Sequence, residues 1–231
     1  MNILKYQQSN NYLYYRDDPS SDLAVINQIF NLNVYSLEGW MHLELMERYK
    51  NKISEEVPLI IDAGANMGAS SIYFHDAWYN SFVIAVEPER RNFALLNLNT
   101  IDKKIKSIEG AIGNKAGKLF LNDPGAGDVG FRVKAEGEYK VNVYEINQLL
   151  VIEENLKPFI IKIDIEGGEK NLFDSNIEWL DKFPLTIIEL HDWMLPTEGT
   201  SRGFQKAIAE RNFAILQKGE NLFCFNMDLL N

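Results

Sequence analysis

Four short apolar runs, Val57–Ile61, Phe82–Val86, Phe159–Ile165 and Leu185–Leu190, narrow the folds open to this chain more than any other feature. Each has the length of a strand, is rich in Ile and Val, and is flanked by Pro, Gly or Asp. That pattern suits strands buried on both faces of a parallel sheet. Helical spacing fills the gaps: Met67, Ile72, Phe74 and Trp78 mark a helix over Met67–Tyr79, and Phe93, Leu95, Leu96 and Leu98 give Glu89–Asn99 an apolar face. Strand and helix in alternation predict βαβ crossovers and a doubly wound α/β sheet. Lys106–Ile112 reads as a further strand of it. Lys118–Asn122 and Tyr139–Val143 read as a side excursion around the Gly-rich segment Asp123–Gly130, either an exposed connection or a loop near an acceptor. Tyr144–Glu154 reads as a helix. Beyond the Leu185 run come a helix near Arg202–Arg211 and two strand-like runs, Phe213–Gln217 and Leu222–Phe225, whose short link predicts an antiparallel hairpin closing the sheet.

Residues 1–56 precede the first buried strand. Ser21-Asp22 is expected to cap a helix through Phe30, and Glu38–Lys50 carries helical spacing of Leu43, Met46 and Tyr49. The expected division is a helical N-terminal cap, residues 1–56, serving as a brace or a lid, and one α/β domain, residues 57–231. A net charge of −10 with no stripe of Lys and Arg argues against nucleic acid as a partner. The single cysteine, Cys224, lies between aromatics and reads as a buried thiol. Met1–Gln8 lacks an apolar signal-peptide core, and no window approaches the roughly 18 apolar residues of a membrane span. The expected compartment is the cytoplasm, with no membrane partner.

The first strand runs into Asp62-Ala63-Gly64-Ala65-Asn66-Met67-Gly68-Ala69-Ser70, after which a helix begins. Ligands of open parallel sheets sit at this end of the strands, beside a helix N-terminus, and glycine lets the backbone approach them. A dinucleotide fingerprint needs Gly-x-Gly-x-x-Gly, but those positions hold Gly64, Asn66 and Ala69, and Asn66 would crowd a pyrophosphate. An amino-acid carboxylate is smaller, and Asp62 can accept from an ammonium group; the tail of S-adenosylmethionine offers both. Glu87 ends the second strand in Ala85-Val86-Glu87-Pro88, where a carboxylate can accept both hydroxyls of a ribose. The third strand ends in Glu109-Gly110-Ala111-Ile112, where an adenine edge is expected. The candidate cofactor residues are therefore Asp62, Gly64, Ala65, Asn66, Gly68, Ser70, Glu87, Pro88, Gly110, Ala111 and Asp164.

Phe159–Glu169 is the most distinctive stretch. Alternation puts Lys162, Asp164 and Glu166 on one side of an apolar strand, and three charges do not enter a buried sheet without partners or a purpose. His191 follows the fifth strand in Glu189-Leu190-His191-Asp192-Trp193, at the functional rim. It is the expected general base, oriented by Asp192 or Glu189, with Asp164 and Glu166 as catalytic companions. His42 and His75 fall inside helices and read as packing or surface residues. Asp164, Glu166, Glu189, His191 and Asp192 also offer the ligand types of a divalent metal, although their spacing fixes no coordination geometry.

With these stretches in order over Leu59–Leu190, the chain resembles the FkbM family of S-adenosylmethionine-dependent methyltransferases. The matching segments are Ile61–Gly68, Glu87-Pro88-Glu89 with Asn92-Phe93, Ala111–Asn114, Ile161–Glu169 and Ile187–Leu190. Two places look different: Val143-Tyr144-Glu145-Ile146 stands where many members carry Thr-Leu-Asp, and Gly168 replaces a more usual Ala. The resemblance implies a class I methyltransferase fold, a Rossmann-like and mostly parallel sheet with an antiparallel C-terminal strand. It also implies O-methylation of a sugar, polyketide or related small molecule. The partners expected are a small-molecule or glycan hydroxyl acceptor, with a homodimer left open. Three alternatives are set against this. An NAD-dependent oxidoreductase is disfavoured by Asn66, by Ala69 and by the lack of any Tyr followed four residues later by Lys. A non-catalytic adenosylmethionine-fold scaffold is disfavoured by the intact motifs. An N-methyltransferase is disfavoured by Asp164-Ile165-Glu166-Gly167, which stands where such enzymes carry Asn/Asp-Pro-Pro-Tyr/Phe.

Overall fold

The computed structural model describes residues 1–5, 12–16, 21–122, 132–134 and 139–231, so the Gly-rich segment Asp123–Gly130 lies outside the described residues. The chain opens with two antiparallel strands, β1 (Asn2–Lys5) and β2 (Tyr12–Tyr15). A short helix α1 (Asp22–Ile26) runs into a π-helical turn (Asn27–Asn31), and α2 (His42–Lys52) follows. Strands and helices then alternate: β3 (Val57–Ala63), α3 (Ala69–Ala77), β4 (Phe82–Glu87), α4 (Arg90–Thr100) and β5 (Ile105–Glu109). The excursion comprises β6 (Ala111–Ile112), β7 (Gly117–Asn122), β8 (Arg132–Lys134) and β9 (Tyr139–Tyr144), a small sheet in the order β6-β9-β7-β8. The chain returns through α5 (Ile146–Leu149), β10 (Leu156–Ile163), α6 (Glu169–Leu172), a 3₁₀ turn (Glu178–Lys182) and β11 (Leu185–Glu189). It ends with α7 (Arg202–Ala209), β12 (Phe213–Lys218), β13 (Asn221–Asn226) and α8 (Met227–Leu230).

The central sheet has the order β12-β13-β11-β10-β3-β4-β5. Strands β3, β4, β5, β10 and β11 are parallel, and β13 runs antiparallel between β11 and β12, so the hairpin predicted from the sequence closes the sheet. The apolar runs are continuous because helices cover both faces. On one face Ile60, Val83 and Phe159 meet Phe74 of α3 and the N-terminal residues Leu13, Ile29 and Met46. On the other, Ile61, Ile84 and Ile161 meet Leu172, Trp179 and Phe204. Burying each such side chain stabilises the fold by roughly 1.5–3 kcal/mol. The chain builds outward from β3 to β5 and then crosses back to β10 on the other side of β3. Strand order therefore reverses between β3 and β10, which is where open α/β sheets form their ligand crevice. Register pairs Asp62 with Lys162 across that line.

Several sequence expectations need correction. The N-terminal region is not purely helical, since it begins with β1 and β2, and its apolar residues share the core of the sheet. Ser21 has helical backbone angles and makes no side-chain cap bond, and the α-helix behind it lasts only Asp22–Ile26. The strand expected over Lys106–Ile112 is broken at Gly110, where a Cβ would lie 2.6 Å from the Tyr144 ring; its two halves belong to different sheets. Tyr144 belongs to β9, and the helix beyond it is confined to Ile146–Leu149 behind a Glu145–Gln148 capping box. Strand β10 ends at Ile163 rather than Ile165. Among the described residues no helix is long and apolar enough to cross a membrane.

Candidate active site

Asp62, near the end of β3, is fully buried. Its Oδ2 accepts from the hydroxyls of Ser70 and Ser71, each at 2.6 Å, and its Oδ1 lies 3.2 Å from Lys162 Nζ. One carboxylate thus ties β3 to the first turn of α3 and to β10. The intervening loop takes left-handed angles at Gly64 (φ 80°), Asn66 (φ 48°) and Gly68 (φ 91°). A Cβ on Gly64 would fall 1.8 Å from the Asp164 carbonyl oxygen, so this glycine admits the neighbouring strand end. Lys162 is 2% exposed. It donates to the Gly64 carbonyl at 2.7 Å and sits 3.4 Å from Asp164 Oδ2. Burial works against its charge, but Asp62 and Asp164 outweigh burial and hold its pKa well above the usual lysine value.

Glu87 closes β4. Its Oε2 accepts from the Asn66 amide at 2.8 Å, and its Oε1 from the Glu89 amide at 2.9 Å and from Asn92 Nδ2 at 3.5 Å. Burial raises its pKa to about 7 against the pull of those hydrogen bonds. The N-terminal segment reaches this corner through Arg16, which pairs with buried Asp22 and donates to Asn92 Oδ1 at 2.8 Å.

A cavity of about 810 Å³ opens at the carboxyl ends of β3, β4, β10 and β11. Of the candidate cofactor residues, Gly64, Ala65, Asn66, Ser70, Glu87, Pro88, Gly110, Ala111 and Asp164 line it. Asp62 and Gly68 are not among its lining residues; they shape the loop from behind. Asp62 holds the loop to α3 through Ser70 and Ser71 and to β10 through Lys162. Gln28 and Tyr35 of the N-terminal region line the cavity as well. Asn66 Oδ1 is buried with no hydrogen-bond partner among the described residues, an acceptor left for a ligand.

The three catalytic candidates, Asp164, Glu166 and His191, line the cavity as well. Simple alternation does not place Glu166, because the strand has ended and its backbone is left-handed (φ 54°). His191 is 1% exposed. Its Nδ1 lies 2.9 Å from Glu169 Oε1, so Glu169 orients the ring, in place of the expected Asp192 or Glu189. Asp192 instead accepts from the Thr200 hydroxyl and the Ser201 amide. Glu169 escaped the sequence reading; its only signal was its place at the end of the charged Lys162–Glu169 run. His191 Nε2 stands 3.5 Å from Asp164 Oδ1, 3.5 Å from Glu166 Oε2 and 3.6 Å from Glu189 Oε1.

Burial opposes charging of His191, but the Glu169 hydrogen bond and the charges of Glu169, Asp164 and Glu166 prevail and raise its pKa to about 9. The surrounding carboxylates thus favour the protonated imidazole over the free base. Burial, with repulsion from Asp164, lifts Glu189 to about 7 against the pull of His191 and Lys162. His42 packs on Phe225 with ring centres 4.3 Å apart, and His75 Nδ1 lies 3.0 Å from Asp76; neither lines the cavity.

A family model described as the methyltransferase FkbM domain matches residues 62–215. No match is found among curated proteins. Similar solved structures include a methyltransferase from Geobacter sulfurreducens, with 14% identity, 93% of each chain covered and a TM-score of 0.41. An O-methyltransferase from Bacillus cereus in complex with SAH shares 11% identity over 92% of this chain and 91% of that one, with a TM-score of 0.44. Aeropyrum pernix fibrillarin with natively bound S-adenosyl-L-methionine shares 12% identity over 84% of this chain and 73% of that one, with a TM-score of 0.47.

Proposed function

The chain belongs to the FkbM methyltransferase domain family and is an S-adenosylmethionine-dependent methyltransferase; from that premise we propose that its acceptor is a hydroxyl group of a sugar, polyketide or related small molecule. The carrying observation is one cavity lined both by Glu87 and Asn66 and by Asp164, Glu166 and Glu189. The residues present fit the cofactor. Glu87 keeps lone pairs beyond those taken by the Asn66 and Glu89 amides, and a ribose diol can donate to them. Gly64, Ala65 and Asn66 would hold the amino-acid tail, with the buried Asn66 Oδ1 supplying an acceptor. Pro88, Gly110 and Ala111 would border the adenine. When bound, adenosylmethionine supplies a methyl group on a positively charged sulfur that leaves with the carbon–sulfur electron pair.

The rim residues have the remaining tasks. An acceptor hydroxyl uses a lone pair to form the new oxygen–carbon bond, and its proton passes to the rim carboxylate Glu189. Holding acceptor and methyl group in line supplies much of the rate. The anionic rim disfavours phosphorylated or carboxylated acceptors and suits neutral polyols. Buried Cys224 is in keeping with a reducing, cytoplasmic setting, which forms part of the proposal.

The test is transfer of isotope-labelled methyl groups to a panel of sugar and polyketide alcohols, with the matching amines and carboxylates alongside. Label recovered in base-stable methyl ethers supports the reading. Label found only on amines, or in base-labile esters, contradicts it.

A further inference from the structure

The geometry points to a divalent-cation site formed by Asp164, Glu166 and His191 at the acceptor end of the cavity, an assignment that deepens the methyltransferase reading above. One ligand atom from each residue lies within 4.8 Å of the others. Nε2 is 3.5 Å from Asp164 Oδ1 and 3.5 Å from Glu166 Oε2. Atoms bonded to one ion at about 2.1 Å are about 3.0 Å apart at right angles and about 3.4 Å apart at tetrahedral angles, so the two distances from Nε2 need only a slight contraction. By contrast, an imidazolium bonded to a carboxylate closes to about 2.7–2.9 Å. Nε2 is that close to none of the three carboxylates facing it; it is directed at the space between them.

The other ring nitrogen carries the second observation. Nδ1 is fixed at 2.9 Å by the fully buried Glu169. A carboxylate on one imidazole nitrogen orients the ring and strengthens the other nitrogen as a ligand, the usual support of a metal-bound histidine. Charge balance agrees. Among the described residues, Asp62, Asp164, Glu169 and Glu189 gather around Lys162 and His191, a concentration of negative charge that a cation would relieve. Glu166 holds a left-handed backbone (φ 54°), a conformation with a cost for a residue other than Gly or Asn, at the point where its carboxylate reaches the cluster.

Two carboxylates and one imidazole suit Mn²⁺, Mg²⁺ or Zn²⁺ and leave coordination positions open. A hydroxyl bound there is acidified: its proton departs to a rim carboxylate while the cation stabilises the alkoxide oxygen that then attacks the methyl carbon.

The experiment is titration of Mn²⁺ into EDTA-treated full-length protein, followed by calorimetry and electron paramagnetic resonance. Adenosylhomocysteine binding is measured on the same samples. One equivalent of Mn²⁺ should bind with nitrogen hyperfine coupling in the pulsed spectrum, and His191→Ala and Glu166→Gln should each weaken it at least tenfold while adenosylhomocysteine still binds. Failure of the wild type to bind stoichiometric Mn²⁺, absence of nitrogen coupling, or Mn²⁺ affinity unchanged from the wild type in the two variants would overturn the site. A wild type that binds Mn²⁺ but not adenosylhomocysteine would uphold the cation site and remove the cofactor reading on its own.

Discussion

The backbone amide of Asn66 donates to the Glu87 carboxylate across 2.8 Å, so the loop after β3 and the end of β4 form one unit. The carboxylate assigned to the ribose is thereby positioned by the loop assigned to the amino-acid tail.

The affinity for adenosylhomocysteine should depend on pH through Glu87. Only the ionised carboxylate presents both oxygens as strong acceptors, because protonation turns one into a donor, and burial raises its pKa to about 7. Binding should therefore be full above about pH 7 and weaken as the pH falls through that value, by up to about tenfold per unit. Glu87→Gln should flatten this profile; calorimetry between pH 5.5 and 8.5 reads it. The sign for stability is opposite. An unfolded chain ionises this group near the ordinary value of 4.5, before the native state does, so the free protein should lose stability as pH rises from there to about 7.

Lys162→Met should destabilise the protein strongly. The variant leaves Asp62, fully buried, without its cation at 3.2 Å. Breaking a buried pair costs about 3–5 kcal/mol, whereas joint replacement with Asp62→Asn should recover a good part of that. Denaturant unfolding of both single variants and the double variant measures the coupling.

Gly64→Ala should be far worse than Gly219→Ala. Both glycines have positive φ, 80° and 60°. A Cβ at Gly64 meets the Asp164 carbonyl oxygen at 1.8 Å, while at Gly219 nothing lies within 4 Å. The Gly219 change should cost about 1 kcal/mol, and the Gly64 change more than about 3 kcal/mol or the fold itself. Thermal unfolding of the two proteins compares them directly.

Asn92→Ala should weaken adenosylhomocysteine binding while leaving the fold in place. Asn92 accepts from Arg16 at 2.8 Å and donates to Glu87 at 3.5 Å. Losing this link between the N-terminal region and the ribose carboxylate should raise Kd by roughly fivefold, the equivalent of about 1 kcal/mol. An unchanged Kd would show that Asn92 does not position Glu87.

The sheet was legible because its strands carry continuous Ile and Val runs that no surface segment would tolerate. The loop was legible because Asp62, Gly64 and Gly68 punctuate a strand-to-helix turn. What escaped depends on contacts distant in sequence. Glu169 reaches His191 only because the turn through Glu166 and Gly167 folds the chain back beneath β11, and no local pattern encodes that approach. Strands β1 and β2 lie outside the parallel sheet. Strand β2 is braced by the Asn99 side chain of α4, which exchanges hydrogen bonds with the Tyr14 backbone, so their apolar pattern gave no strand signal of its own. The break at Gly110 is imposed by Tyr144, more than thirty residues away. The surroundings of His191 escaped for a similar reason: Asp164, Glu169 and Glu189, which face its ring, lie on three separate segments.

The most direct test of the cofactor site is calorimetric titration of the wild type and Glu87→Gln with adenosylmethionine, adenosylhomocysteine and NAD. The expected result is one equivalent of either adenosyl compound bound by the wild type, at least tenfold weaker binding by the variant, and no binding of NAD. Preferential binding of NAD, or adenosylhomocysteine affinity untouched by Glu87→Gln, would contradict it.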